Sequence, residues 1–251
     1  MGIDIVIRKA IAPAPWPRSE QTELLDAEGH DARELKENFR DIRRVNRLLG
    51  GTSTVLALLP RLIDAVPDGQ PVTILDLGTG CADIPLAISR WAKRRGIPVA
   101  ITASDYMEDV LDLAREAIGD HNDISLARHD ARSVPLPDQS FDIVLCSMTL
   151  HHFPPKEAVA ILEEMHRLAR RGFILNDLRR SKTGYVAAWI AARLTTRNRL
   201  TRNDAPLSVR RAYTPDELKD LLRRAGIHDA AVSTRPWFRM AALKVNEADH
   251  A

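Results

Sequence analysis

From residue 72 onward, the chain alternates short apolar runs with segments whose apolar residues recur every three or four positions. The short runs, bounded by turn residues, predict strands at VTILDL, VAITAS, ISLARHD, FDIVLCS and GFILND. The helical spacing predicts helices over about 83–95, 107–118 and 156–169. Because strands that alternate with helices form a parallel sheet covered on both faces, the sequence predicts an α/β fold.

The two ends of the chain add elements to this core. Helices are predicted over about 33–49 and 52–65, with Gly50 and Gly51 between them as a helix stop, and Pro60 is expected to shorten or bend the second helix. Near the end, Thr214 to Glu217 has the pattern of a capping box, and two strand-like runs after that helix predict an antiparallel hairpin. We therefore expect N-terminal helices in 1–66 and the main domain in 67–251, with an inserted helical lid at 181–213.

Composition limits the class of protein. The 251 residues are 45% hydrophobic and carry a formal net charge of +2, so overall charge indicates no nucleic-acid partner. Cys81 and Cys146 both lie in or beside apolar runs, which excludes a disulfide framework or a four-ligand zinc site. No run is long enough to span a membrane, and we expect a reduced, cytoplasmic protein.

The stretch TILDLGTGCAD, at residues 73–83, points to a ligand site. Gly78 and Gly80 let the backbone turn tightly after a strand, and the helix that follows offers free N–H groups. A dinucleotide site favours glycine where this chain has Asp83, and the Gly-Lys-Ser/Thr ending of a phosphate loop is missing. These residues predict a nucleoside-like ligand that is poor in phosphate. Asp105, after the second strand, is placed to accept both ribose hydroxyls, while Asp130 and the Ala131 N–H can bind adenine.

Four pieces of sequence together resemble the class I S-adenosylmethionine-dependent methyltransferases: LDLGTG, Asp105, HDA and SFDIVLCSMTLHHF. The resemblance covers about residues 72–178, and within this class the sequence is similar to the quinone-biosynthesis and natural-product methyltransferases. It implies a Rossmann-like, seven-stranded, mostly parallel sheet. It also implies S-adenosylmethionine as cofactor, S-adenosylhomocysteine as product, and cofactor contacts at Asp76, Gly78, Thr79, Gly80, Asp105, Tyr106, Met107, Asp130, Ala131, Ser147 and Met148.

Methyl transfer to a hydroxyl or an enol benefits from a nearby base. His151 and His152 lie where the fourth strand ends, and imidazole titrates near neutral pH. Asp177, after the fifth strand, and Asp204, in an arginine-rich segment, are alternatives, although both carboxylates could equally bond to neighbouring arginines. One histidine could also serve only to pack beneath the next helix.

The expected acceptor is a small molecule: a phenol, a quinol or a polyketide-like compound, aromatic or anionic, methylated on oxygen or carbon. The turn SMTLHH lacks the Pro-Pro-aromatic pattern of base-amino methylation, and no cysteine is placed to attack a nucleic-acid base. Ser147 stands where a metal-dependent catechol enzyme has a carboxylate, so we expect no metal. An RNA or protein methyltransferase, an NAD(P) oxidoreductase and a catalytically idle binding protein remain alternatives, as do a monomer and a homodimer.

Overall fold

The computed structural model describes residues 16–27, 29–63 and 70–246, and its strands form one seven-stranded sheet. The strands are β1 (Val72–Leu77), β2 (Val99–Asp105), β3 (Ile124–Arg128), β4 (Phe141–Ser147), β5 (Ala169–Leu178), β6 (Ala231–Arg235) and β7 (Arg239–Val245). Their order is β3-β2-β1-β4-β5-β7-β6. The first five strands run parallel, and β7 is antiparallel to both of its neighbours. The predicted α/β fold with a closing antiparallel hairpin is confirmed.

Helices cover both faces of the sheet. They are α1 (Ala32–Leu48), α2 (Gly51–Leu58), α3 (Pro60–Ile63), α4 (Asp83–Lys93), α5 (Glu108–Ile118), α6 (Pro155–Leu168), α7 (Lys182–Thr195), α8 (Arg199–Arg211) and α9 (Pro215–Arg224). Two 3₁₀ turns, Leu24–Asp26 and Leu150–His152, lie near the ends of strands and helices. None of the helices in these described ranges is long and apolar enough to cross a membrane.

Alternation along the strands divides the core into two layers. Ile74 of β1 packs on the face covered by α2 to α5, while its neighbours Leu75 and Leu77 pack on the face covered by α6 and α9. All three side chains are fully buried. Because successive strand residues point to opposite faces, a continuous apolar run is what a sheet covered on both sides requires.

The helix predicted over 52–65 is interrupted. The structure ends α2 at Leu58 and begins the short α3 at Pro60, because proline has no N–H to continue the helical hydrogen bonds but is well suited to a first helical position. The predicted capping box is present: the Glu217 N–H donates to Oγ1 of Thr214, and the Thr214 N–H donates to Glu217. The expected boundary at 66/67 lies outside the described residues and stays a prediction, as does the rest of the domain division.

The N-terminal segment packs on α8, far away in sequence. The backbone N–H groups of Leu24 and Leu25 each donate to the Asp204 carboxylate at 2.9 Å. Nδ2 of Asn38, on α1, donates to Oγ1 of Thr201, on α8, at 3.1 Å. These contacts bring the N-terminal helical region and the segment after β5 together above the carboxyl ends of the parallel strands.

Candidate active site

A crevice of about 1080 Å³ opens at the carboxyl ends of β1, β2 and β4. The turns that follow these strands form its floor, and its walls come from the Leu24–Asp26 turn, α1, α7 and α8. The strand order reverses between β1 and β4, and open α/β sheets bind ligands at this point. The fold therefore places one large ligand site where the sequence predicted it.

Two glycines shape the turn between β1 and α4. Their φ angles are 68° at Gly78 and 56° at Gly80, in the left-handed region that other residues disfavour. A Cβ at Gly78 would overlap the Thr149 side chain, and a Cβ at Gly80 would lie 3.0 Å from Cε1 of Phe39. The turn thus requires bare backbone at both positions, which leaves its N–H groups close to the crevice.

Asp105 is anchored beside this glycine turn. Its Oδ2 accepts a hydrogen bond from the Gly80 N–H at 3.0 Å, and its Oδ1 accepts one from the Met107 N–H at 3.2 Å. Burial raises the pKa of this carboxyl. Each carboxylate oxygen can accept a second hydrogen bond, so the fixed side chain can still bind a pair of ligand hydroxyls.

The two residues after Asp105 also line the crevice. The Tyr106 ring is half exposed, with the Arg128 guanidinium 5.3 Å from its centroid. Met107 packs against the small apolar cluster that includes Phe39 of α1. An aromatic face and a thioether thus flank the carboxylate, which suits a flat, partly apolar group such as a nucleobase.

Asp76 is buried at the end of β1. Oγ1 of Thr79 donates to its Oδ2 at 2.7 Å, whereas its Oδ1 has no hydrogen-bond partner within the described ranges. Burial, reinforced by the charges of Asp83 and Asp105, raises the pKa of Asp76 to about 7. Three acidic side chains around one turn favour a ligand that carries positive charge there.

We expect Asp76 to make the stability of the ligand-free protein depend on pH. A carboxyl with a raised folded-state pKa contributes most below its unfolded value of about 3.9, and this contribution is lost as the pH rises toward 7. Asp76→Asn removes the ionisation. The variant's unfolding free energy relative to wild type should therefore increase by about 1.4 kcal/mol per pH unit across this range. Urea titrations at several pH values measure it, and a constant difference would contradict the raised pKa.

Asp130 and Ala131 lie at the far side of the crevice, after β3. Nε of Arg132 donates to Oδ1 of Asp130 at 2.9 Å and Nη2 donates to Oδ2 at 2.7 Å, and these contacts hold the pKa of the carboxyl below its ordinary value. A ligand amino group at this position would share the carboxylate with Arg132. The role expected for Asp130 in adenine binding stays a prediction.

Ser147 ends β4 and Met148 follows it, and both residues line the crevice. Nδ2 of Asn176 donates to Oγ of Ser147 at 2.7 Å, which fixes the hydroxyl. Met148 has a positive φ of 61°, and its sulfur lies 3.0 Å from Nη1 of the buried Arg239. This strained backbone turns the chain sharply from β4 into the turn that carries the histidines.

His151 and Asp177 form a buried pair. Nδ1 of His151 lies 2.6 Å from Oδ1 of Asp177, and the His151 backbone N–H donates to Oδ2 at 3.0 Å. Although burial opposes ionisation, the imidazole lowers the pKa of Asp177, so the aspartate is a carboxylate. An acceptor-only carboxylate takes its hydrogen bond from a proton on Nδ1, so Nε2 is the ring nitrogen left to exchange a proton with a ligand.

His152 has a different environment. Its Nδ1 lies 2.6 Å from Oδ1 of Asp26, and its Nε2 lies 3.9 Å from Oε2 of Glu23. Burial alone would lower the pKa of His152, but the carboxylates of Glu23 and Asp26 raise it to about 9. This imidazole is therefore charged at neutral pH and has no lone pair with which to accept a proton.

Sequence reasoning missed Glu23 and Asp26, and it placed Arg211 only in the arginine-rich segment. The Glu23 carboxylate is buried 3.7 Å from Nε2 of His151, and Nη1 of Arg211 lies 3.1 Å from Asp26. No local pattern marks these contacts, since folding brings the N-terminal segment and the end of α8 to the turn that carries the histidines.

Glu23, His151 and His152 offer ligand atoms within 4.8 Å of one another, a grouping that could hold a metal ion and that the sequence did not predict. Arg211 already places a positive charge 3.7 Å from Oε1 of Glu23. Together with protonated His152, this guanidinium balances the carboxylates without a metal, so we assign the group as an ion-pair network.

Asp177 and Asp204, the two carboxylates considered as alternative bases, have different partners in the structure. Asp177 bonds to His151, and both oxygens of Asp204 accept backbone N–H groups from residues 24 and 25. Neither carboxylate makes the arginine contact considered from the sequence. Asp204 anchors the N-terminal segment, whereas Asp177 orients a histidine.

Comparison with known proteins identifies the fold and the domain. Residues 74–172 match the family model described as a methyltransferase domain. A demethylmenaquinone methyltransferase from Staphylococcus haemolyticus is 31% identical over 108 residues, which is 43% of each chain. The chain thus spans less than half the length of this curated relative.

Solved structures share the architecture. A SAM-dependent methyltransferase from Aquifex aeolicus superimposes with a TM-score of 0.57 at 19% identity, over 86% of this chain and 98% of that one. The CurJ carbon methyltransferase superimposes with a TM-score of 0.63 at 11% identity, over 86% of this chain and 62% of that one. At these identities the likeness shows the fold.

The sheet order is that of the class I methyltransferase fold, and the glycine turn and the aspartate after β2 lie where the sequence resemblance predicted them. Within this fold, residues 74–172 match the methyltransferase domain.

Proposed function

We propose that this protein transfers the methyl group of S-adenosylmethionine to a small phenol, quinol or polyketide-like acceptor held in the crevice. The observation that carries the proposal is the His151–Asp177 pair, because its histidine lines the same crevice as the glycine turn. The relative named for demethylmenaquinone supports a quinol-type acceptor.

The residues present fit the cofactor. The unpartnered Oδ1 of buried Asp76 and the acidic side chains around the turn suit the cationic methionine part, and anchored Asp105 suits a ribose diol. We assign cofactor binding to Asp76, Gly78, Thr79, Gly80, Asp105, Tyr106, Met107, Asp130, Ala131, Ser147 and Met148. The bound cofactor would supply a methyl group already activated by its sulfonium.

The chain's own contribution is to position the acceptor and to remove its proton. Nε2 of His151 accepts the proton from the acceptor hydroxyl, and Asp177 holds the ring in the required tautomer and stabilises the imidazolium. Protonated His152 stays charged and attracts the developing oxyanion. Alignment of acceptor and methyl group supplies much of the remaining rate enhancement.

An apolar acceptor suits the crevice walls. Phe39, Ile42 and Val45 of α1 line one side, and Ala187, Ala188 and Ala191 of α7 line another. Small alanine side chains leave room for a ring system, while the aliphatic and aromatic residues of α1 bury its surface. Residues 181–213 therefore act as a cover for the acceptor in this proposal.

We expect Asp105→Ala to weaken S-adenosylmethionine binding at least tenfold. The loss corresponds to hydrogen bonds from two ribose hydroxyls to a carboxylate, each worth roughly 1.5–3 kcal/mol. Calorimetry measures the affinity. Asp109→Ala, in the first turn of the next helix, is the matched control and should bind normally. Equal affinities for Asp105→Ala and wild type would place the cofactor elsewhere.

Methyl transfer itself is tested by measuring S-adenosylhomocysteine released with a panel of phenols and quinols. Product that depends on both protein and acceptor supports the proposal. Cofactor binding without turnover on any member of the panel would favour the catalytically idle alternative.

A further inference from the structure

The outer face of α7 is apolar and exposed. Val186, Trp189, Ile190 and Leu194 recur at the i, i+3, i+4 and i+8 positions of one helical stripe, and 42% to 81% of each residue's surface is exposed. Soluble surfaces rarely gather large apolar side chains in a single stripe, which instead marks an interaction surface.

The opposite face of the same helix has another use. Gly184, Ala187, Ala188 and Ala191 line the crevice. One helix thus separates the crevice from the exposed stripe, so the stripe is not merely the wall of the acceptor site.

A second, arginine-lined pocket of about 540 Å³ lies beside the stripe. Its charged residues are all arginines: Arg193, Arg197, Arg199, Arg202 and Arg210. Arg199 pairs with Glu34, and Arg202 donates to the Thr196 and Arg193 carbonyls, but Arg193, Arg197 and Arg210 have no acidic partner within the described ranges. The pocket therefore presents uncompensated positive charge next to apolar side chains.

We infer that the outer face of α7 docks the protein on an anionic lipid bilayer. Apolar side chains on one face, with arginines beside them and a tryptophan among them, are the composition of a helix that lies in the membrane interface. The Arg193 guanidinium lies 4.1 Å from the centroid of the Trp189 ring. The aliphatic part of Arg193 and the Trp189 ring can therefore enter the membrane interface together, while the guanidinium binds a lipid phosphate.

The charge and the apolar surface of this face favour a bilayer over a second copy of the chain or a nucleic acid. A second copy meeting this face symmetrically would bring Arg193 and Arg197 close to their own counterparts, which repel. A nucleic acid would neutralise the arginines but would leave Ile190 and Leu194 against a polar backbone. An anionic bilayer satisfies the arginines and the stripe at once. A membrane-dissolved acceptor would then arrive beside the crevice, a consequence that rests on the proposed function.

The test is sedimentation of the full chain with phosphatidylcholine vesicles, with and without phosphatidylglycerol. We expect binding that requires phosphatidylglycerol and weakens with added salt. Leu194→Asp should lower the partition coefficient at least tenfold, whereas Leu48→Asp, at a comparably exposed leucine of α1, should not. Arg197→Glu should lower it more than Arg94→Glu, at the end of α4.

Several outcomes would overturn the inference. The inference is overturned if the wild-type protein binds neither kind of vesicle. It is also overturned if Leu48→Asp lowers the partition coefficient as much as Leu194→Asp does. A concentration-dependent dimer that Leu194→Asp abolishes, without vesicle binding, would make the stripe a contact between copies. Thermal protection by inorganic phosphate without vesicle binding would make the pocket a small-anion site.

The docking inference and the proposed function can be contradicted independently of each other. Vesicle binding needs neither cofactor nor acceptor, and calorimetry with S-adenosylmethionine on each variant shows that the crevice is intact. Vesicle binding without methyl transfer contradicts only the proposed function. Turnover of a water-soluble phenol without vesicle binding contradicts only the docking.

Discussion

Replacing His151 by alanine is expected to lower turnover by about 10²–10⁴-fold while leaving S-adenosylmethionine affinity nearly unchanged. The reason is geometric: Asp177 holds Nδ1, and Nε2 is the lone pair available to an acceptor hydroxyl. Steady-state rates with the best phenol or quinol, together with calorimetry of cofactor binding, measure the two effects.

The same variant has a diagnostic pH profile. The His151 ring faces Asp177, Glu23 and His152, while Arg211 donates to its backbone carbonyl. An acceptor that ionises in solution no longer needs a base, so the variant's rate should climb as the pH approaches the acceptor's own pKa, about 10 for a simple phenol.

One further variant distinguishes the loss of a base from a folding defect. His151→Ala leaves the Asp177 carboxylate buried without its partner, which is destabilising. His151→Asn keeps a donor for Asp177 but cannot take up a proton, so it should fold well and remain slow. Full activity of both variants across pH would show that catalysis uses proximity alone.

A His152 variant distinguishes the role of positive charge in the site from the role of the proposed base, His151. Because the pKa of His152 is raised to about 9, this residue attracts an anion at neutral pH and does not accept a proton. We expect His152→Ala to weaken acceptor binding, with a smaller effect on turnover than His151→Ala. A larger turnover defect in His152→Ala would reverse the assignment of the two histidines.

Gly80→Val should abolish measurable S-adenosylmethionine binding. The residue has a φ of 56°, where a β-branched side chain is strained, and a Cβ would already lie 3.0 Å from the Phe39 ring. The added methyl groups must displace either Phe39 or the ligand. A shift of the turn would also break the hydrogen bond from the Gly80 N–H to Asp105.

A surface glycine supplies the control for strain. Gly96 has a similar φ of 67°, and a Cβ there would meet nothing within 4 Å. Gly96→Val therefore carries the same kind of backbone strain without blocking the crevice. Thermal unfolding should show at least as much destabilisation in Gly80→Val, which also crowds Phe39, as in Gly96→Val, and only Gly80→Val should lose the cofactor. Normal affinity in Gly80→Val would refute the site.

The parts of the structure that the sequence predicted are those governed by local periodicity and turn chemistry. Alternating strands and helices specified the α/β sheet, and the glycines after β1 specified the turn that faces the crevice. The resemblance to methyltransferases rested on four short pieces of sequence, each a local pattern. Pro60 interrupts the second N-terminal helix, as its position in the sequence predicted.

The roles of the two adjacent histidines depend on contacts that no local pattern contains. Asp26, 126 residues from His152, and Glu23 approach from the N-terminal segment and help to keep that imidazole charged. Asp177 instead fixes the tautomer of His151. Sequence by itself determined the sheet, the glycine turn and the position of the histidines after β4. Tertiary structure decided how the surroundings of the two imidazoles differ, because the charges at each ring come from residues that only folding brings there.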